Sequence, residues 1–139
     1  MMSAEVLIQV QFYDTDSLGI IYYGSYYRYF EAGFLKLLKN AGLSFSEIHK
    51  RGIYLPATLS SCNYYSPSTV EESLKIATTI HSLGYASVAF KHEVFNMDRK
   101  GKLVAQGHTR HACVSTDWRV TPLPDWLKSA LQGSSKSKG

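Results

Sequence analysis

One long stretch of this chain carries helical hydrophobic spacing, and strand-period sequence stands on both sides of it. Within residues 26–41, Tyr26, Phe30, Phe34, Leu37, Leu38 and Ala41 fall on one helical face, and Gly42 follows as a C-cap glycine. Lys36 and Lys39 lie in the last turns, where positive charge complements the helix dipole. Gly33 sits mid-helix at a cost of about 1 kcal/mol against alanine, so its presence predicts a close approach to a sheet. Upstream, residues 6–13 alternate, with Ile8, Val10 and Phe12 on one face and Gln9 and Gln11 on the other. Downstream, the capping box Ser44-x-x-Glu47 and Gly52 mark a short helix. Residues 53–65, 72–83, 85–96 and 102–115, rich in Val, Ile, Thr, Tyr and Phe, then read as strands. Gly84 and the turn Asp98-Arg99-Lys100-Gly101 join the last three as hairpins, and Pro122 and Pro124 introduce a final helix over 125–131.

This order predicts an α+β chain with one long helix packed on a largely antiparallel sheet. At 139 residues it forms one domain, placed at 1–131, with the Gly/Ser/Lys-rich residues 132–139 as a disordered tail. Lys136 and Lys138 in that tail supply half of the +4 net charge, so the remainder is only mildly basic and suits an anionic small molecule; no nucleic-acid partner is expected. No run of 18 apolar residues and no signal-like N-terminus occurs, which predicts no membrane span and a cytoplasmic protein. Cys62 and Cys113 stand outside any Cys-x-x-Cys spacing and read as reduced, buried thiols. The strands carry apolar residues in both phases, Val88 and Phe90 on one and Val104 and Val114 among those in the last. A homo-oligomer, dimer or tetramer, is therefore expected to cover a face or extend an edge.

The segment between the first strand and the long helix, FYDTDSLGIIYYGSYYRYFE, holds two carboxylates, a glycine and six of the ten tyrosines. A helix N-terminus offers unpaired N–H groups and a partial positive charge that can hold a carbonyl oxygen as it becomes an oxyanion. A carboxylate just upstream can attack that carbonyl or activate a water. A thioester suits this equipment because its thiolate leaves with little protonation. Asp-x-Asp-x-x-Gly is equally the pattern of a plain Asx-turn leading into a helix, and the residue types alone leave both readings open.

The stretch Asp14-Thr15-Asp16-Ser17-Leu18-Gly19-Ile20-Ile21-Tyr22-Tyr23-Gly24-Ser25-Tyr26 resembles the signature of the 4-hydroxybenzoyl-CoA thioesterase family. That family includes Tol-Pal-associated acyl-CoA thioesterases and 1,4-dihydroxy-2-naphthoyl-CoA thioesterases. The likeness continues through Arg28-Tyr29-Phe30-Glu31 and, more loosely, through Tyr65-x-Pro67 and the ending Val120-Thr121-Pro122-Leu123-Pro124. It implies a hot-dog fold, a five-stranded sheet wrapped on the long helix, an active site at a subunit interface and an acyl-CoA substrate with no cofactor. Asp16 aligns with the family's catalytic aspartate, as nucleophile or general base. The Tyr23 backbone N–H aligns with its oxyanion donor, although many Tol-Pal-type members have His where this chain has Tyr23. Gly19, Tyr22, Tyr26, Thr58 and Ser87 are expected to contact substrate, the last two by position in the fold.

Other clusters read more simply. His108 and His111, three apart on a strand, face opposite sides and leave only His111 and Cys113 together, so no metal site is expected. Ser60 and Ser61 lack a nucleophile elbow, and Arg99, Lys100 and Lys102 form a basic hairpin tip. A non-catalytic module binding acyl-CoA or an acyl carrier is the alternative to an enzyme. A hot-dog dehydratase would need a His paired with a carboxylate, and the Asp14 to Glu31 stretch contains none.

Overall fold

A computed structural model describes residues 1–133. In chain order it contains β1 (Ser3–Gln9), α1 (Tyr26–Asn40), α2 (Phe45–Lys50), β2 (Ile53–Tyr54), β3 (Ala57–Tyr64) and β4 (Ser73–Leu83). There follow β5 (Ser87–Asn96), β6 (Lys102–Ala112), β7 (Val114–Ser115) and α3 (Asp125–Gln132). Five strands form one sheet in the order β1-β4-β5-β6-β3, with every neighbouring pair antiparallel, and β2 pairs separately with β7. The expected α+β arrangement of one long helix on a five-stranded antiparallel sheet is the observed one.

α1 ends as its sequence dictates. Gly42, at φ 81°, donates to Lys39 O at 2.9 Å, and the next N–H, of Leu43, reaches back to Leu38 O at 2.9 Å, the double bond of a Schellman motif. α2 starts on Ser44, whose hydroxyl accepts the Glu47 N–H at 3.1 Å. Two apolar clusters join α1 to the sheet. Phe34, Leu37 and Leu38 pack with Val88, Phe90 and Cys113 and with Leu127 and Leu131 of α3. Tyr26, Tyr29 and Phe30 pack with Leu74, Ile76, Val94 and Val104. Each such buried large side chain is worth about 1.5–3 kcal/mol relative to exposure. The close approach announced by Gly33 is present: a Cβ there would run into Thr78 Oγ1 and stand 3.1 Å from Thr78 Cβ.

The interior also holds polar groups bonded to one another across three strands. His92 of β5 is fully buried, with Nδ1 2.9 Å from Thr78 Oγ1 of β4 and Nε2 2.8 Å from Thr109 Oγ1 of β6. The Phe30 ring of α1 lies flat on the imidazole, centroids 4.7 Å apart. Burial holds the His92 pKa down at about 3, with His111 and His108 adding in the same direction.

Several boundaries differ from the sequence expectation. The first strand stops at Gln9, because residues Phe12–Asp14 curl into a 3-10 turn closed by Asp14 N–H to Gln11 O at 2.9 Å. The strand expected over 53–65 divides at Pro56, which cannot donate to a ladder, and the last one divides at Cys113. The final helix runs to Gln132, capped by Gly133 at φ 70°, and the rest of the tail expected at 132–139 lies outside the described residues. Among the described residues no helix is long and apolar enough to cross a membrane. At one edge of the sheet, β3 keeps an open side, and all of its residues but Cys62 are exposed.

Candidate functional site

The loop from β1 to α1 is organised around Asp14. Its side chain is 2% exposed and both oxygens are engaged: Oδ2 accepts the Gln11 N–H at 2.9 Å, and Oδ1 pairs with the Arg28 guanidinium of α1. Its backbone carbonyl accepts the Tyr22 N–H at 2.8 Å and the Ser25 hydroxyl at 3.0 Å. Asp14 therefore ties both ends of the loop to the helix, and the same contact raises the Arg28 pKa.

Asp16 is held differently. It opens a tight turn in which its N–H donates to Ile20 O at 2.9 Å and Gly19, at φ 80°, donates to Asp16 O at 2.9 Å. Glycine is the residue that adopts that left-handed position without strain. Asp16 Oδ1 accepts the Leu18 N–H at 2.8 Å, and Oδ2 has no hydrogen-bond partner among the described residues. The carboxylate lines an open cleft of about 440 Å³ with Tyr23, Tyr26, Tyr64, Tyr65 and Pro67.

Tyr23 begins a 3-10 turn, Tyr23–Ser25, that precedes α1 (Tyr26–Asn40), so the expected donor sits one turn ahead of the α-helix proper. The first hydrogen bond of that turn is Ser25 N–H to Tyr22 O at 2.8 Å. The Tyr23 N–H comes before it and has no acceptor among the described residues, as the opening N–H groups of a helical turn require. Tyr64 of β3, which lines the same cleft, donates its hydroxyl to Tyr23 O at 3.0 Å and so steadies the turn at its first residue. Burial pushes the Tyr26 hydroxyl up to about 12, and Tyr64 is raised for the same reason. These two hydroxyls thus stay neutral donors.

The structure brings Asp16, Tyr23 and Tyr26 into one cleft, with Gly19 in the adjoining turn and the Tyr22 ring tilted against Tyr23 at 4.5 Å. Thr58 and Ser87 lie elsewhere. Thr58 is the exposed residue at the β3 bulge, bonded to Arg110 O at 3.3 Å, and Ser87 closes the Gly84 hairpin through its own carbonyl at 2.8 Å. Tyr64 carried no signal beyond strand character, since it meets Tyr23 across 41 residues of chain. The two histidines face apart as expected: His111 stacks on Phe34 beneath α1, whereas His108 meets His81 on the other side of the sheet. At the basic hairpin tip, Arg99 is paired with Glu72 at 2.9 Å.

A second cleft, about 310 Å³, continues along α1 beside β3 and is lined by Tyr27, Glu31, Phe34, Ser60 and His111 among others. His111 Nδ1 stands 3.0 Å from Leu55 O, which can only accept, so that nitrogen carries the proton. Burial lowers the His111 pKa, and the ring enters the cleft neutral.

The architecture has counterparts in known proteins. The putative acyl-CoA thioesterase YneP of Bacillus subtilis is 26% identical over 125 residues, covering 86% of this chain and 88% of the relative. The crystal structure of a DHNA-CoA thioesterase from Staphylococcus aureus is similar with a TM-score of 0.86 and 27% identity, over 98% of this chain and 93% of that one. A crystal structure of 4-hydroxybenzoyl-CoA thioesterase reaches a TM-score of 0.86 at 20% identity, over 94% and 99%, a likeness of fold. The description that matches residues 10–131 is the thioesterase-like superfamily, which takes in the Asp16 turn, all of α1 and the whole sheet after β1. On that match, the chain belongs to the thioesterase-like superfamily, and its fold is the hot-dog fold.

Proposed function

We propose that this thioesterase hydrolyses an aryl- or short-chain acyl-CoA to the free acid and CoA, with Asp16 and the Tyr23 N–H as its working groups. The carrying observation is that Asp16, with one unengaged carboxylate oxygen, and Tyr23, whose backbone N–H has no acceptor among the described residues, line the same tyrosine-walled cleft. The thioester carbonyl oxygen accepts from the Tyr23 N–H. As a general base, Asp16 takes a proton from water while the water oxygen adds to the carbonyl carbon, and the tetrahedral oxyanion collapses with loss of CoA thiolate. As a nucleophile, Asp16 adds directly, expels the thiolate and forms an anhydride that water then opens. Both routes use protein groups and water alone, so the reading includes no cofactor.

The names of the relatives support an acyl-CoA substrate, and DHNA-CoA stands among the acyl groups to be tested. The reading includes a cytoplasmic homo-oligomer, dimer or tetramer, paired through β3. That strand offers eight residues of unpaired edge beside both clefts, and a second copy placed there closes them from water.

The test is thiol release from a panel of aryl and short-chain acyl-CoAs, native against Asp16→Asn. Turnover by the native protein and its loss in the variant are expected. Tight acyl-CoA binding without turnover would leave the non-catalytic module standing instead.

A further inference from the structure

The two clefts beside α1 are followed by a third, about 350 Å³, lined by Phe45, His49, Tyr54, Leu55, Pro56 and Trp118. Phe45 and Leu55 line the second cleft as well, so the two are contiguous. A train of rings connects them. Phe34 meets Phe45 at 5.7 Å, Phe45 stacks on His49 at 5.5 Å, His49 stands edge-on to Tyr54 at 4.9 Å, and Tyr54 meets Trp118 at 5.2 Å.

Trp118 is the unusual member. Its backbone has φ 65°, a left-handed position that glycine and asparagine adopt readily and a bulky side chain seldom does. The turn that enforces it is closed by Trp118 N–H to Ser115 O at 2.9 Å and Ser115 N–H to Arg119 O at 2.8 Å. Packing does not explain the indole, because Trp118 is 66% exposed. A strained position occupied by a large exposed aromatic is the pattern of a ligand contact.

The lining favours a flat, uncharged ring, since no Lys, Arg, Asp or Glu is among it. The neighbouring cations are already engaged: Arg51 with Glu47 and the Trp126 face, Arg119 with Asp117. If the thioesterase reading holds, one part of the substrate fits that description. We propose that the Tyr54 and Trp118 cleft seats the adenine ring of coenzyme A, stacked on the indole, with the phosphates outside in solvent. The pantetheine arm then runs through the second cleft past Phe34 and Tyr27, a stretch of about 10 Å along α1, and delivers the thioester to Asp16.

The test compares an acyl-CoA with the same acyl group on N-acetylcysteamine, which has the thioester but no nucleotide. Trp118→Asn is the variant of choice, because asparagine tolerates φ 65° and the turn survives. The ratio of KM for acyl-CoA to KM for the truncated thioester should rise on the order of tenfold over native, and Trp118→Phe should restore most of it. An unchanged ratio overturns the assignment, including the case in which both KM values rise together through a structural effect. Should the native protein hydrolyse neither thioester, the thioesterase reading fails. The cleft is then judged on its own by titrating adenosine 3′,5′-bisphosphate against the fluorescence of Trp118 in a Trp126→Phe protein: saturable quenching supports the base site and its absence overturns it.

Discussion

Asp14 and Asp16 stand two residues apart on one loop and end in opposite circumstances. Asp14 is 2% exposed, with Arg28 on one oxygen, the Gln11 N–H on the other and two donors on its carbonyl. Asp16 is half-buried, holds only the Leu18 N–H, and turns toward a cleft of tyrosines. A buried carboxylate with a partner on each oxygen is closed off from a substrate, whereas one with a spare oxygen beside a cleft is not. Two identical residue types thus divide into a fastened carboxylate and one with an oxygen to spare, the one to which the proposed chemistry is given, and only their surroundings separate them.

The largest effect expected from this contrast is on turnover. Asp16→Asn keeps the Leu18 contact but removes the charge, so kcat should fall on the order of 10²- to 10⁴-fold while Tm moves little. Thiol-release kinetics and a melting curve check both halves. Asp14→Asn should do the reverse. It strips the ion pair and weakens the loop tether, costing about 2 kcal/mol, a figure discounted because Arg28 is 53% exposed, and kcat should drop less than in the Asp16 variant. A larger kinetic loss at Asp14 than at Asp16 would invert the assignment.

Acid should weaken the fold through the sheet interior. His92 has its pKa held at about 3, below the ordinary 6.5, because burial penalises the charged ring. The unfolded chain takes up that proton below pH 6.5 and the folded chain does not. Stability is therefore complete above 6.5 and falls by about 1.4 kcal/mol per pH unit below it, or about 2 kcal/mol by pH 5. His111, also lowered by burial, adds in the same direction. Urea titrations at pH 7 and pH 5 read the difference, and identical midpoints would remove His92 from the account. The smallest effect belongs to Tyr64→Phe. Losing the hydroxyl that braces Tyr23 O costs about 1 kcal/mol of positioning, a several-fold fall in kcat/KM with little change in Tm. No change would mean that the Tyr23 peptide is held by its turn alone.

Much of this was legible in the chain. Gly33 announced a tight helix-to-sheet contact, and Thr78 supplies it; Gly42 and Ser44 marked helix ends that form as written. The Asp14 to Tyr26 pattern marked the loop through its residues alone. The surroundings that distinguish its two carboxylates were less accessible. Arg28 reaches Asp14 across 14 residues and Tyr64 reaches Tyr23 across 41, and no local period encodes either meeting. Thr58 and Ser87, expected at the substrate by position in the fold, sit at the β3 bulge and in the Gly84 hairpin and line neither of these two clefts, a placement that no local period encodes.

By itself the amino-acid sequence determined the elements, their order and the turn-rich loop ahead of α1, because hydrophobic period, caps and turn residues act over a few positions. Tertiary structure alone decided which aspartate is fastened and which is free, how the Tyr23 peptide is braced, and that a left-handed tryptophan completes a ring-lined cleft. Those outcomes come from pairings across the sheet order β1-β4-β5-β6-β3 and from α1 lying on it, and long-range packing leaves no imprint on neighbouring residues.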